Sequence, residues 1–169
     1  MSHEAHRAEA PASVRCYVVT ISDTRTIDTD ASGRAIADLL GEAGHAVAGR
    51  AIVRDDRAAI RAILVEALGR EETQAIITTG GTGISSRDNT FEVVNGLLEK
   101  RLDGFGELFR MLSYQEIGSA AMLSRACAGA ARGKLLAALP GSEPAVRLAM
   151  TKLLLPELGH LVREVNRQP

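Results

Sequence analysis

Three short β-branched runs separated by stretches of helical spacing constrain this chain more than any other feature. The runs are VRCYVVTIS from Val14, HAVAGRAIV from His45, and AIITT at 75–79. Between the first two, Ile36, Leu39, Leu40 and Ala43 recur at i, i+3, i+4 and i+7, and Gly44 follows as a helix stop. Between the second and third, Asp55 and Asp56 precede Ile60, Ile63, Leu64 and Ala67, and that pattern ends before Gly69. The third run passes directly into a glycine loop, after which Phe91, Val94 and Leu98 mark another helix. Strands alternating with helices bury their apolar faces as a parallel sheet with helices on both sides. The first strand is predicted over about 14–21.

The second half of the chain is less regular. Phe105, Leu108, Phe109 and Leu112 fall on one helical face. Strand-like pieces near 123–131 and 134–139, separated by Arg132-Gly133, predict a β-hairpin within 123–139. Pro140-Gly141-Ser142 opens a last helical region, with Ser142 as its N-cap, Pro144 in the first turn, and Pro156 breaking it in two. Residues 1–12 are polar and Ala-rich and read as a disordered tail, and residues 13–169 as a single domain. With 20 basic and 21 acidic residues the formal net charge is −1, and aromatics make up only 3%. Neither a basic footprint nor a stacking platform for nucleic acid is present. The apolar runs are too short to span a bilayer, and the N-terminal stretch lacks an apolar signal core. Cys16 and Cys127 are far apart and outside any zinc-ligand spacing, so they read as buried, reduced thiols of a cytoplasmic protein.

In an open parallel sheet, ligands bind beyond the carboxyl ends of the strands. Four such ends are rich in small or acidic residues: Ser22-Asp23, Asp55-Asp56, Gly80 to Gly83, and Pro140-Gly141-Ser142. Thr78-Thr79-Gly80-Gly81-Thr82-Gly83 is the strongest of these. Its glycines admit positive φ and a close backbone approach, and successive N–H groups ahead of a helix can cradle an anion. A tight strand-to-helix turn would need the same residues. The loop is neither GxGxxG nor a Walker A. Asn89 with Glu92 three residues on matches a capping box, which leaves Asp88 to serve as cap or ligand. One carboxylate of Asp55-Asp56 suffices to cap its helix, so the other is spare for Mg²⁺ beside a phosphate. No histidine lies near a strand end, which disfavours Ser-His catalysis at Ser22. Arg110 and Arg125 read as solvated surface charges rather than phosphate forks.

TISD at 20–23, the Asp55-Asp56 pair, TTGGTG at 78–83 with Arg87-Asp88, GFGELFRMLSYQEIG at 104–118, SRACAG at 124–129 and LPGS at 139–142 fall in the order of a known family. Over about residues 14–155 the chain resembles the molybdopterin adenylyltransferase (molybdopterin-binding domain) family of molybdenum cofactor biosynthesis, and FRMLSYQEIG resembles its B branch. The related domain of competence-damage-type proteins carries a similar TTGG loop but is set apart by FRMLSYQEIG and LPGS. The resemblance implies a three-layer α/β/α sandwich with a mostly parallel central sheet. It also implies Mg²⁺-dependent adenylylation of molybdopterin by ATP, giving adenylyl-molybdopterin and pyrophosphate. Asp55 and Asp88 match the family's functional and metal-binding aspartates. Ser22, Asp23, Thr79, Gly80, Gly81, Thr82, Gly83, Pro140, Gly141 and Ser142 match its substrate-lining positions. A homo-oligomer, trimer or hexamer, and contact with other enzymes of the cofactor pathway are implied as well. Arg54-Asp55-Asp56 stands where the active pattern often has Pro-Asp-Glu, with the key Asp kept. The alternative within the family is a non-catalytic molybdopterin- or nucleotide-binding paralogue or scaffold.

Overall fold

A computed structural model describes residues 8–167. Its strands are β1 (Arg15–Ile21), β2 (Ala46–Val53), β3 (Ala75–Thr79), β4 (Lys100–Arg101), β5 (Cys127–Ala131) and β6 (Lys134–Leu139). They form one sheet in the order β2-β1-β3-β6-β5-β4. The pairings β1–β2, β1–β3 and β3–β6 are parallel, and β6–β5 and β5–β4 are antiparallel. The α-helices are α1 (Ala31–Glu42), α2 (Arg57–Leu68), α3 (Thr90–Leu97), α4 (Asp103–Ile117), α5 (Glu143–Ala149) and α6 (Leu155–Asn166). The expected three-layer α/β/α sandwich is therefore present, with β4 an edge strand too short to read from sequence.

The layers follow from the period-2 alternation of the strands. Cys16 and Val18 of β1, Ala75 and Ile77 of β3, and Leu135, Ala137 and Leu139 of β6 face one side. There they pack on Ile36 and Leu40 of α1, Phe105 and Phe109 of α4, Val146 of α5 and Leu158 of α6. Tyr17, Val19, Ile21, Ile76, Leu136 and Ala138 face the other side and meet Ile60 and Leu64 of α2 and Val94 of α3. The central strands are buried on both faces, as a parallel sheet requires. Capping sets where the first two helices start. Asp30 accepts the Gly33 N–H at 2.9 Å, and Asp56 accepts the Ala59 N–H at 2.9 Å. Gly44, at φ +84°, turns the chain from α1 into β2.

Four expectations need correction. The hairpin starts at Cys127, because residues 118–123 form a 3₁₀ helix instead of a strand. Leu108 does not join Phe105 and Phe109 in the core; it is 48% exposed. Ser142 occupies the N-cap position of α5 without a side-chain capping bond. Pro156 does not break the last helical region, which runs on from α5 through a π turn (Met150–Leu154) into α6. A proline lacks an N–H and crowds the carbonyl four residues before it. The wider turn, in which the Leu155 N–H reaches back to the Met150 carbonyl, precedes that ring directly.

Of the stretch read as a tail, residues 1–7 lie outside the described residues, and the Pro11 carbonyl lies against Gly159 of α6. Cys16 and Cys127 are buried free thiols. Burial pushes Cys16 up to about 12. It pushes Cys127 up to about 11 even though Arg101, Arg110 and Arg125 pull it down.

Candidate functional site

The parallel pairing carries the ends of β1, β2, β3 and β6 to one edge of the sheet, and short hydrogen bonds knit the loops beyond them. The Ser22 N–H donates to the Val53 carbonyl at 2.9 Å, and the Gly80 N–H to the Leu139 carbonyl at 3.0 Å. The Thr79 hydroxyl donates to the Pro140 carbonyl at 2.7 Å, and the Ser32 hydroxyl to the Gly141 carbonyl at 2.7 Å. The Asp55 N–H donates to Asp23 Oδ1 at 3.1 Å, and the Asp23 carboxylate also pairs with Arg87. All four strand ends singled out by the sequence therefore meet.

The glycine loop lies at the centre of this edge. Gly80 and Gly81 adopt φ of +101° and +70°, a region that L side chains rarely occupy. A Cβ on Gly80 would strike the Ile21 carbonyl oxygen, and one on Gly81 would strike the Thr90 hydroxyl. The N–H groups of Gly81, Thr82 and Gly83 donate to no acceptor among the described residues. Main-chain donors in folded proteins are almost always paired, so three consecutive free ones are able to receive an anion.

A cleft of about 260 Å³ opens on one side of the loop, lined by Ser22, Arg25, Asp30, Ser32, Gly80 and Gly141 among others. Asp30 is 2% exposed. Its carboxylate accepts from the Thr20 hydroxyl at 2.7 Å, the Gly33 N–H at 2.9 Å and Arg50 at 3.1 Å. On the other side stand the aspartates. Asp55 Oδ2 lies 3.0 Å from where a Gly81 Cβ would sit, and Asp88 Oδ2 lies 2.7 Å from where a Gly83 Cβ would sit. Burial raises the Asp55 carboxyl, two bonds from Asn89 oppose this, and the neighbouring charges of Asp88 and Asp23 raise it further. The Asp23 carboxyl is held below the usual range, first by the Asp55 N–H and then by Arg87.

The capping box at Asn89 does not form. Asn89 is the N-cap of α3 without a side-chain capping bond. Its amide instead holds Arg57 at 3.1 Å and the Asp55 carbonyl at 3.3 Å, while its own N–H donates to Asp55 Oδ1 at 3.1 Å. Asp88 is not wholly free either, since its Oδ2 accepts the Ser85 N–H at 2.9 Å and closes the turn before α3. Asp56 caps α2, leaving Asp55 as the spare carboxylate of its pair. Thr79, though buried, lines the cleft, whereas Thr82, Pro140 and Ser142 do not. His45 accepts the Val14 N–H at the opposite end of β1, away from this edge.

Arg110 and Arg125 are not solvated surface charges. Arg125 donates its main-chain N–H to the Thr82 carbonyl at 3.1 Å and its Nε to the Gly83 carbonyl at 2.9 Å. It also pairs with Glu92 and stacks 4.8 Å above the Phe91 ring, so it clamps the glycine loop to α3. Sequence reading missed Asp30, Ser32 and Arg25. Only Asp30 left a signal, as an acidic residue immediately before a periodic helix.

Residues 17–160 match the family described as a probable molybdopterin binding domain. The chain is 53% identical over 169 residues to molybdenum cofactor biosynthesis protein B of Bacillus anthracis, a match covering 99% of this chain and 100% of that one. A crystal structure of a molybdenum cofactor biosynthesis protein B superimposes with a TM-score of 0.91 at 53% identity, covering 95% of this chain and 100% of the other. The tungsten cofactor synthesizing protein MoaB from Pyrococcus furiosus follows with a TM-score of 0.84 at 34% identity, covering 94% and 100%.

Proposed function

Since the chain belongs to the molybdopterin-binding domain family of molybdenum cofactor biosynthesis, we propose that it adenylylates molybdopterin with ATP, releasing pyrophosphate. The observation that carries this reading is the loop Gly81-Thr82-Gly83, with its N–H groups free, set between a cleft and two aspartates. In the proposed reaction the loop receives the molybdopterin phosphate. One of its oxygens bonds to the α-phosphorus of ATP, the α–β bridging P–O bond breaks, and pyrophosphate leaves. The attacking phosphate is already ionised, so no general base is needed, in keeping with an edge that has carboxylates and glycines but no histidine. What the protein supplies is in-line positioning and dipoles aimed at the developing charge.

Asp55 and Asp88 fit a Mg²⁺ ion. Burial first, and then the nearby charges of Asp88 and Asp23, raise the Asp55 carboxyl, and a divalent cation would relieve that negative charge. Among the described residues no group of three or more His, Cys, Asp or Glu side chains forms a cage. Mg²⁺ commonly takes only one or two carboxylates and completes its shell with water and substrate phosphates. When bound, it would neutralise phosphate charge. Exposed Leu108, Met111, Tyr114, Ile117, Met122 and Leu123 on α4 and the 3₁₀ turn support a homo-oligomer, trimer or hexamer. Other pathway enzymes could dock on the same face. Among the described residues no helix is long and apolar enough to cross a membrane.

The test is Asp88→Asn and Asp55→Asn against Asp56→Asn, assayed with molybdopterin, ATP and Mg²⁺ for adenylyl-molybdopterin. Asn can still accept from Ser85 or Asn89, so the fold should persist. Losing charge that acts in the transition state should lower product formation by about a hundredfold or more at Asp88 and Asp55. The Asp56 variant should stay near wild type. Tight molybdopterin binding by the wild-type protein without turnover would establish the non-catalytic binder or scaffold in place of this reading.

A further inference from the structure

A second cleft, also of about 260 Å³, lies between α4, the 3₁₀ turn and the start of β5. Arg101, Arg110 and Arg125 line it together with Ser124 and one carboxylate, Asp103. Arg101 is paired with Asp103 at 3.1 Å, and Arg125 is paired with Glu92. Arg110 is different. Its guanidinium is half-buried, and its partners are two main-chain carbonyls, Ser124 at 3.4 Å and Ala126 at 3.2 Å. No carboxylate among the described residues neutralises it. A partly buried cation without a counter-charge is costly unless something anionic meets it. The helix is also shaped around it. A Cβ on Gly106, one turn earlier in α4, would sit 2.8 Å from Arg110 Nη2 and 2.8 Å from the Ala126 carbonyl oxygen. The glycine therefore keeps open the place where this guanidinium lies.

We propose that this cleft is a binding site for a small tetrahedral oxyanion of the phosphate class, held chiefly by Arg110 with the Ser124 hydroxyl. Arginine's planar fork suits such an anion, and the guanidinium nitrogens of Arg110 that do not face Ser124 and Ala126 remain as donors. The cleft adjoins the glycine loop through Arg125, which lines the cleft and holds the Gly83 carbonyl.

Equilibrium dialysis of labelled inorganic phosphate tests the assignment. The unmodified protein is used, and the site is read from the part of the saturable binding that the Arg110 variants remove while binding at the glycine loop persists. Arg110→Gln should weaken that part about tenfold or more, as expected for loss of a charge-assisted hydrogen bond. Arg110→Lys should retain part of the affinity. Gly106→Ala keeps every arginine and should weaken binding by displacing the guanidinium, and Arg110→Lys, which keeps the charge without adding bulk, covers the case in which Arg110→Gln fails to fold. Sulfate should compete and acetate should not. Equal phosphate binding by the parent and both Arg110→Gln and Gly106→Ala would overturn the site. So would absence of phosphate binding together with a fall in oligomer mass on Arg110→Gln, because the cleft would then hold a side chain from a second copy.

Discussion

Gly81→Ala offers a calculable test of why the loop needs glycine. At φ +70° an alanine costs about 1–2 kcal/mol relative to glycine. Its Cβ would also lie 3.1 Å from Thr90 Cβ and closer still to the Thr90 hydroxyl. Thr90 is 0% exposed and cannot swing aside. Overpacking of this kind costs about 1–3 kcal/mol, so the variant should lose about 2–5 kcal/mol in all. The Thr90 hydroxyl has no hydrogen-bond partner. Thr90→Ala should therefore cost only about 1 kcal/mol, the burial of one methyl group. In the double variant the closest contact, with the hydroxyl, disappears, while the approaches to the Cβ at position 90 and to Asp55 Oδ2 and the backbone strain stay. We expect a favourable coupling of about 1–2 kcal/mol, measured by urea denaturation of the four proteins. Additivity within about 0.5 kcal/mol would refute the steric account and leave conformational strain as the whole effect.

Asp55→Asn should separate stability from activity. The Asp55 carboxyl is raised above 3.8, chiefly by burial. What the residue contributes to stability is then fully present below the unfolded value and lost as pH rises through the folded one. The variant should exceed wild type in stability at pH 7, and the two should converge below about pH 3.8; a difference independent of pH would sink this reasoning. Light scattering at micromolar protein should give a multiple of 17.9 kDa, and Met111→Glu with Met122→Glu should lower it. A monomer mass for the unmodified chain would remove the reading of the exposed apolar face as an interface.

The layers, the strand ends and the glycine loop were legible because period and turn chemistry are local. Cys16 and Tyr17 already sort to opposite faces by alternation, and Asp56 caps as its position implies. What stayed hidden depends on residues distant in sequence. Arg125 reads as a surface charge until the fold brings Gly83, 42 positions away, under its guanidinium. Asn89 has a capping-box partner in Glu92, but Arg125 takes that carboxylate, and Asp55 takes the Asn89 N–H. Asp30 lies within a polar loop, and only the return of β2 supplies Arg50 to its carboxylate. The π turn ahead of Pro156 is likewise a compromise between one ring and continued packing of Met150, Leu154 and Leu158 on the sheet.

The position of β6 has a consequence for how the chain must be made. Strands leave the ribosome as β1, β2, β3 and then, after two helices and a short edge piece, β5 and β6. Yet β6 pairs with β3 in the middle of the finished sheet. Until residue 139 has been synthesised, Ala75–Thr79, buried along its whole length in the native protein, has β1 on one side and an open row of amides and carbonyls on the other. An apolar, unpaired strand edge is a template for the wrong partner. The nascent first half is therefore the aggregation-exposed species, and completing the sheet waits on a hairpin that arrives late and adds to the open edge of β3.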